Sequence, residues 1–209
     1  PLADKVNSDI LVKCDVNNED HLQNTLTQIK KRFGTIDFII HAVAYSDKNE
    51  LNGRYIDTSK NNFINSLSIS CYSFTRIAKI FQPIINSGGS LVTLSFHGAN
   101  KVMPNYNVMG VAKAALETSV KYLSVDLGDQ DVRVNAISAG PMRTLAGAAI
   151  ANARDVFNYT SENSSLKRNV NLDELGNSAL YLVSDLSSAI TGEIHYVDCG
   201  FNIIGMPKS

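Results

Sequence analysis

Three stretches of this chain are apolar almost from end to end: "IDFIIHAVA" (36–44), "SLVTLS" (90–95) and "VRVNAIS" (132–138). A strand with one wet face would alternate with polar residues, so continuous apolar character means burial on both faces. Sheets made of such strands are parallel, with the crossovers packed as helices above and below. Two further runs, "DILVKCDV" (9–16) and "GEIHYVDCG" (192–200), read as strands bounded by polar turns. Between the runs the period lengthens to that of helices. Asn17 or Asn18 can cap a helix whose Leu22, Leu26, Ile29 and Phe33 share a face, and Gly34 stops it. A long helix begins near Asn61, with Phe63, Leu67, Cys71, Phe74, Ala78 and Phe81 inward, and Pro83 ends it. Others run from 105 to about 127 and from 172 to 184. The expectation is an α/β fold with a doubly wound parallel sheet.

Composition narrows the function classes. At 209 residues, 44% of them apolar, the chain suits one domain with a real core, and no repeat or boundary divides it. A net charge of −1 offers no basic face to nucleic acid or to an anionic membrane. No apolar run is long enough to span a bilayer, and no segment reads as a signal peptide. Cys14, Cys71 and Cys199 are scattered and odd in number, which points to a reduced, cytoplasmic setting. The four histidines lack metal-ligand spacing, so no metal is expected. Residues 145–170 are Ala-rich and polar with weak periodicity, the composition of a substrate-binding lid.

Ligands of open parallel sheets bind beyond the carboxyl ends of the strands. Five places therefore become candidates together: Cys14 to Val16, His41 to Tyr45, Ser95 to Gly98, Ser138 to Thr144, and the start of the helix carrying Tyr106. Within "PNYNVMGVAKAALE", Tyr106 and Lys113 are seven residues apart, close to two helical turns, with Met109 between them on nearly the same stripe. Spacing alone favours a solvated helix face over a catalytic pair, because polar pairs seven apart are common on such faces.

The surroundings decide between these. "PNYNVMGVAKAALE" and "VRVNAISAGPMRTLAG", with "SDILVKCDV", "IDFIIHAVAYSDKNELNGRY", "SCYSFTRIAK" and "DELGNSALYLVSDLSSAITGEIHYVDCGFNI", resemble the bacterial enoyl-acyl carrier protein reductases. These belong to the short-chain dehydrogenase/reductase superfamily, and the likeness covers nearly the whole chain. It implies a Rossmann-like fold, NADH as cofactor, an enoyl substrate borne on acyl carrier protein, and a homotetramer. Most of the superfamily has its catalytic tyrosine four residues before the lysine. Met109 holds that position here and the tyrosine stands earlier, at Tyr106, the arrangement that separates enoyl reductases from ketoreductases.

The resemblance further implies that Tyr106 and Lys113 are catalytic and that Lys113 also holds the nicotinamide ribose. Asp15 and Val16 would meet the adenine, and the charge of Asp15 favours NADH over NADPH. Ala42, Val43 and Ala44 would pass the ribose, and Ala139, Gly140, Pro141, Met142 and Thr144 would lie along the nicotinamide and pyrophosphate. Tyr106, Met109, Ile150 and Phe96 would touch substrate. Phe96 replaces the tyrosine of most relatives, and His97 beside it is a candidate proton carrier, though more simply a supporting residue. The family's Gly-rich turn after a first strand is not found, so the chain reads as lacking its first βαβ unit. A ketoreductase, or a nucleotide-binding subunit without activity, are the competing readings.

Overall fold

The computed structural model describes residues 2–142 and 153–206. After a single turn, α1 (Leu2–Lys5), come α2 (Glu19–Phe33), β1 (Ile36–His41), the short α3 (Lys48–Leu51) and α4 (Lys60–Leu67). A π-helical turn (Ser68–Tyr72) joins α4 to α5 (Ser73–Phe81). There follow β2 (Ile85–Phe96), α6 (Asn107–Asp126), β3 (Arg133–Ala139), α7 (Ala153–Asn163), α8 (Leu172–Val183) and β4 (Ile194–Val197).

The strands form one parallel sheet in the order β1-β2-β3-β4. Its two faces are filled alternately, as the strand period requires. Leu91, Val134 and Ala136 face α5 and α6, where Phe74, Ala78, Leu116 and Val120 complete one cluster. Val92, Ile137 and Ala139 face the other way, against Leu175 and Leu182 of α8. The sheet is therefore doubly wound. Asn18 caps α2 by accepting from the His21 N–H, and Gly34 ends that helix at φ 77°, a conformation suited to glycine.

Three expectations need correction. The run 9–16 forms no ladder: Leu11 is 86% exposed, and among the described residues no strand lies beside it to pair with. The chain turns instead at Asp15, whose N–H donates to His21 Nδ1 and whose carboxylate accepts from the Asn17 N–H. β1 is apolar as expected but not covered on both faces, since Phe38 and Ile40 are exposed. It is the edge of the sheet among the described residues. Phe33, placed with the inward face of α2, is also exposed.

Candidate active site

The parallel register sets the carboxyl ends of the first three strands side by side, with His41 beside Thr93 and Phe96 beside Ala139. A cavity of about 1410 Å³ opens there. Its walls come from Ala42–Asn49 after β1, Leu94–Phe96 at the end of β2, and Ala139–Met142 after β3. The N-cap and first turns of α6 supply Tyr106, Met109 and Lys113, and α7 closes one side with Arg154, Val156 and Phe157.

The helix that carries the polar stripe is anchored locally. Asn107, at φ 36°, directs its amide onto the carbonyls of Leu51 (3.1 Å) and Gly53 (3.3 Å), tying α3 to the start of α6. Leu51 thereby packs with Tyr106, Val108 and Met109. Gly98 has no side chain because there is no room for one: a Cβ there would overlap the Tyr106 ring. A Cβ on Gly110 would come within 2.8 Å of the Gly98 carbonyl. These two glycines let the turn after β2 rest directly on α6.

Tyr106 is 7% exposed, and its ring meets Phe96 edge to face at 4.9 Å. Burial, with the negative charge of Glu117, raises its pKa, so the phenol stays protonated and able to donate. Lys113 is 6% exposed, and its Nζ donates to the Leu94 carbonyl at 2.6 Å. That bond uses one of three ammonium protons and leaves two for a ligand. Burial pushes Lys113 down to about 8, against the opposing charges of Cys71 and Glu117. Met109 is buried between them, and its sulfur accepts from Ser70 Oγ at 3.7 Å.

Sequence patterns did not single out Ser70. It sits in the π-turn, accepts from the Tyr45 N–H (2.9 Å), and is within 3.1 Å of the Tyr45 carbonyl. It thus joins the loop after β1 to α6. A second pin is Asn62, whose Oδ1 takes the Asp47 N–H (2.9 Å) and the Ser46 hydroxyl (3.2 Å). His41 is a third. Ser73 Oγ donates to the Ile69 carbonyl (2.6 Å), so at His41 Nε2 (2.8 Å) it is the ring N–H that donates. Nδ1 then accepts from Thr93 Oγ1 at 2.8 Å. Burial first, and the charge of Lys113 second, hold His41 down to about 4, a neutral imidazole.

The structure thus brings Ala42, Val43, Ala44, Phe96, Tyr106, Met109, Lys113, Ala139, Gly140, Pro141 and Met142 to one cavity. It does not bring Asp15 and Val16 there, because their segment is not a strand of the sheet. Thr144 and Ile150 lie outside the described residues. His97 is buried with its ring against Phe201 (5.4 Å) and does not line the cavity. Burial lowers its pKa, which fits a supporting residue better than a proton carrier.

Residues 1–202 match the family described as Enoyl-(Acyl carrier protein) reductase. The chain belongs to that family. It is similar to "Enoyl-[acyl-carrier-protein] reductase [NADH] 2" of Rhizobium meliloti, 55% identical over 99% of this chain and 77% of that protein. It is also similar to "Enoyl-[acyl-carrier-protein] reductase [NADH] FabI" of Rickettsia bellii, 51% identical over 100% of this chain and 79% of that one. Among solved structures, the reductase of Anaplasma phagocytophilum in complex with NAD superposes with a TM-score of 0.96. It is 53% identical and covers 100% of this chain, which spans 80% of it. No helix among the described residues of this reductase is long and apolar enough to cross a membrane.

Proposed function

We propose that this chain reduces the trans-2 double bond of an enoyl group carried as a thioester on acyl carrier protein, with NADH as cofactor, in fatty-acid elongation. Its relatives' names carry the reaction, and one observation carries it on this chain. Tyr106 and Lys113 stand buried on one stripe of α6 facing an apolar cavity, and Met109, not a tyrosine, lies between them.

The cavity suits a dinucleotide. Ala42, Val43, Ala44 and Gly140 offer small side chains and backbone for close approach, and Lys113 offers a buried ammonium for ribose hydroxyls. When bound, NADH supplies the hydride. Hydride addition at Cβ sends the electron pair of the double bond toward the thioester oxygen, and a proton then reaches Cα. Negative charge thus develops away from the carbon that is attacked. Tyr106, set earlier on α6 than a carbonyl-reducing tyrosine, is placed to donate its proton into a hydrogen bond with that oxygen. Burial keeps the proton on the phenol for this purpose, and Phe96 packs the ring in place. Lys113 adds positive charge beneath the same site. Met109 presents a thioether to the acyl chain, a soft apolar contact.

Residues 145–170 serve as a lid. Within them α7 already contributes Arg154, Val156 and Phe157 to the wall. The enzyme works in the cytoplasm as a homotetramer. The deciding experiment follows absorbance at 340 nm with a crotonyl thioester and, separately, an acetoacetyl thioester. Loss of absorbance with the first alone is the expected result. Oxidation with the second alone would make the chain a ketoreductase, and oxidation with neither a protein without this activity.

A further inference from the structure

One buried carboxylate has no part in the mechanism above. Glu117 follows Lys113 by one turn of α6 and Tyr106 by about three, so all three share a stripe. It is 8% exposed. Its Oε1 accepts from Ser95 Oγ at 2.6 Å, and its Oε2 accepts from Asn100 Nδ2 at 3.1 Å. The partners form a pattern. Three consecutive residues of β2 each engage one member of the stripe: the Leu94 carbonyl takes Lys113, the Ser95 hydroxyl takes Glu117, and the Phe96 ring takes Tyr106.

A carboxylate removed from water is costly unless hydrogen bonds and opposite charge compensate it. Ser95 and Asn100 supply the hydrogen bonds here, and Lys113 stands one turn away on the same helix. We propose that Glu117 is a positioning residue for the reduction: its carboxylate keeps Lys113 an ammonium and fastens the Tyr106–Lys113 stripe to the end of β2. This rests on the reading of Lys113 as the cation that holds the cofactor.

Titratable groups face Lys113 from several elements. His41 faces it from β1 and is neutral. Cys71 faces it from the π-turn and acts on Lys113 in the same direction as Glu117. Tyr106 on its own helix is a neutral phenol. Glu117, one turn on along the same helix, also opposes the burial that pulls Lys113 down. On its other side the carboxylate acts on His97, from the turn after β2, and on Tyr196 of β4, with Lys101 and Asp198 also acting on His97.

The test uses the full chain as wild type, Glu117→Gln and Glu117→Asp. NADH affinity is read by nicotinamide fluorescence from about pH 6 to 9.5, with thermal unfolding and crotonyl thioester reduction alongside. Glu117→Gln should move the alkaline midpoint of NADH binding down by about one pH unit, roughly tenfold weaker binding near pH 8, and leave pH 6 almost unchanged. Glu117→Asp keeps the charge and should restore most of the profile. A Gln profile that superimposes on wild type overturns the proposal. So does an equal loss in both variants at every pH, which would mark a packing role. Should the Gln variant not fold, the wild-type titration decides, and a midpoint below pH 7 would count against Glu117. A wild type that binds no NADH at any pH removes the functional reading itself, and this inference with it.

Discussion

Tyr106 and Lys113 occupy one stripe of one helix, yet their substitutions should separate cleanly. Tyr106→Phe removes a donor aimed at substrate and should lower turnover on crotonyl thioesters by up to roughly 10²-fold, the low end for loss of an oxyanion donor. Its dissociation constant for NADH should stay near that of wild type, as read by fluorescence titration. Lys113→Ala should instead weaken NADH binding in the same titration. Gly98→Ala tests whether the phenol's position matters apart from its chemistry. A methyl group there collides with the Tyr106 ring, so turnover should fall about tenfold or more while NADH affinity holds. Unchanged turnover would mean that the ring can shift without leaving the reacting geometry. At this scale the sequence was informative because a helix turns residue spacing directly into direction. Met109 and Lys113 fall where a period of about 3.6 puts them, and Tyr106 stands at the N-cap of the same helix. The same rule would have found Glu117, four residues after Lys113, had buried charge been sought as well as catalytic residue types. Ser70 could not be found that way, since its partners Tyr45 and Met109 are distant in sequence.

Elements meet at the site through polar pins, and one of them makes stability depend on pH. His41 joins β1 to β2 through Thr93 and to α5 through Ser73, and its folded pKa of about 4 lies below the ordinary value of 6.5. The unfolded chain therefore binds a proton that the folded one excludes between those two values. The contribution is present above pH 6.5 and is lost as pH falls toward 4. Between pH 7 and 5 the loss amounts to about 2 kcal/mol from this one group. Urea unfolding at the two pH values should show wild type losing about that much more than His41→Gln. Equal losses would mean that the ring is protonated without cost. Elements were also where the sequence was least decisive. Continuous apolar character identified β2 and β3 because each is flanked by strands and covered by helices. The same character in 9–16 and in β1 stated only what those segments could bury. Strand pairing is a long-range event, and neither periodicity nor composition encodes which neighbour stands alongside.

At the scale of the whole molecule, apolar surface remains on the long helices and the C-terminal segment: Tyr72, Tyr122, Val125 and Ile203 are all more than half exposed. Exposed apolar residues of this kind suit an association surface. Light scattering should return the mass of four copies, and a monomer at micromolar concentration would refute the tetramer. A different constraint acts through chain length. The π-turn of Ser68–Tyr72 holds one residue more than an α-helix needs for the same advance. Upstream of it, Asn62 and Ser66 point to the loop after β1; downstream, Phe74 and Ala78 point into the core. Were the turn to tighten into regular α-helix with all its residues kept, one half would rotate against the other by about 100°. Either the loop contacts or the core contacts would then face solvent. This helix therefore has a phase as well as a composition. A further residue inserted within 68–72 should therefore lower the unfolding temperature far more than a substitution there, and an equal effect would mean that the two halves need no fixed phase.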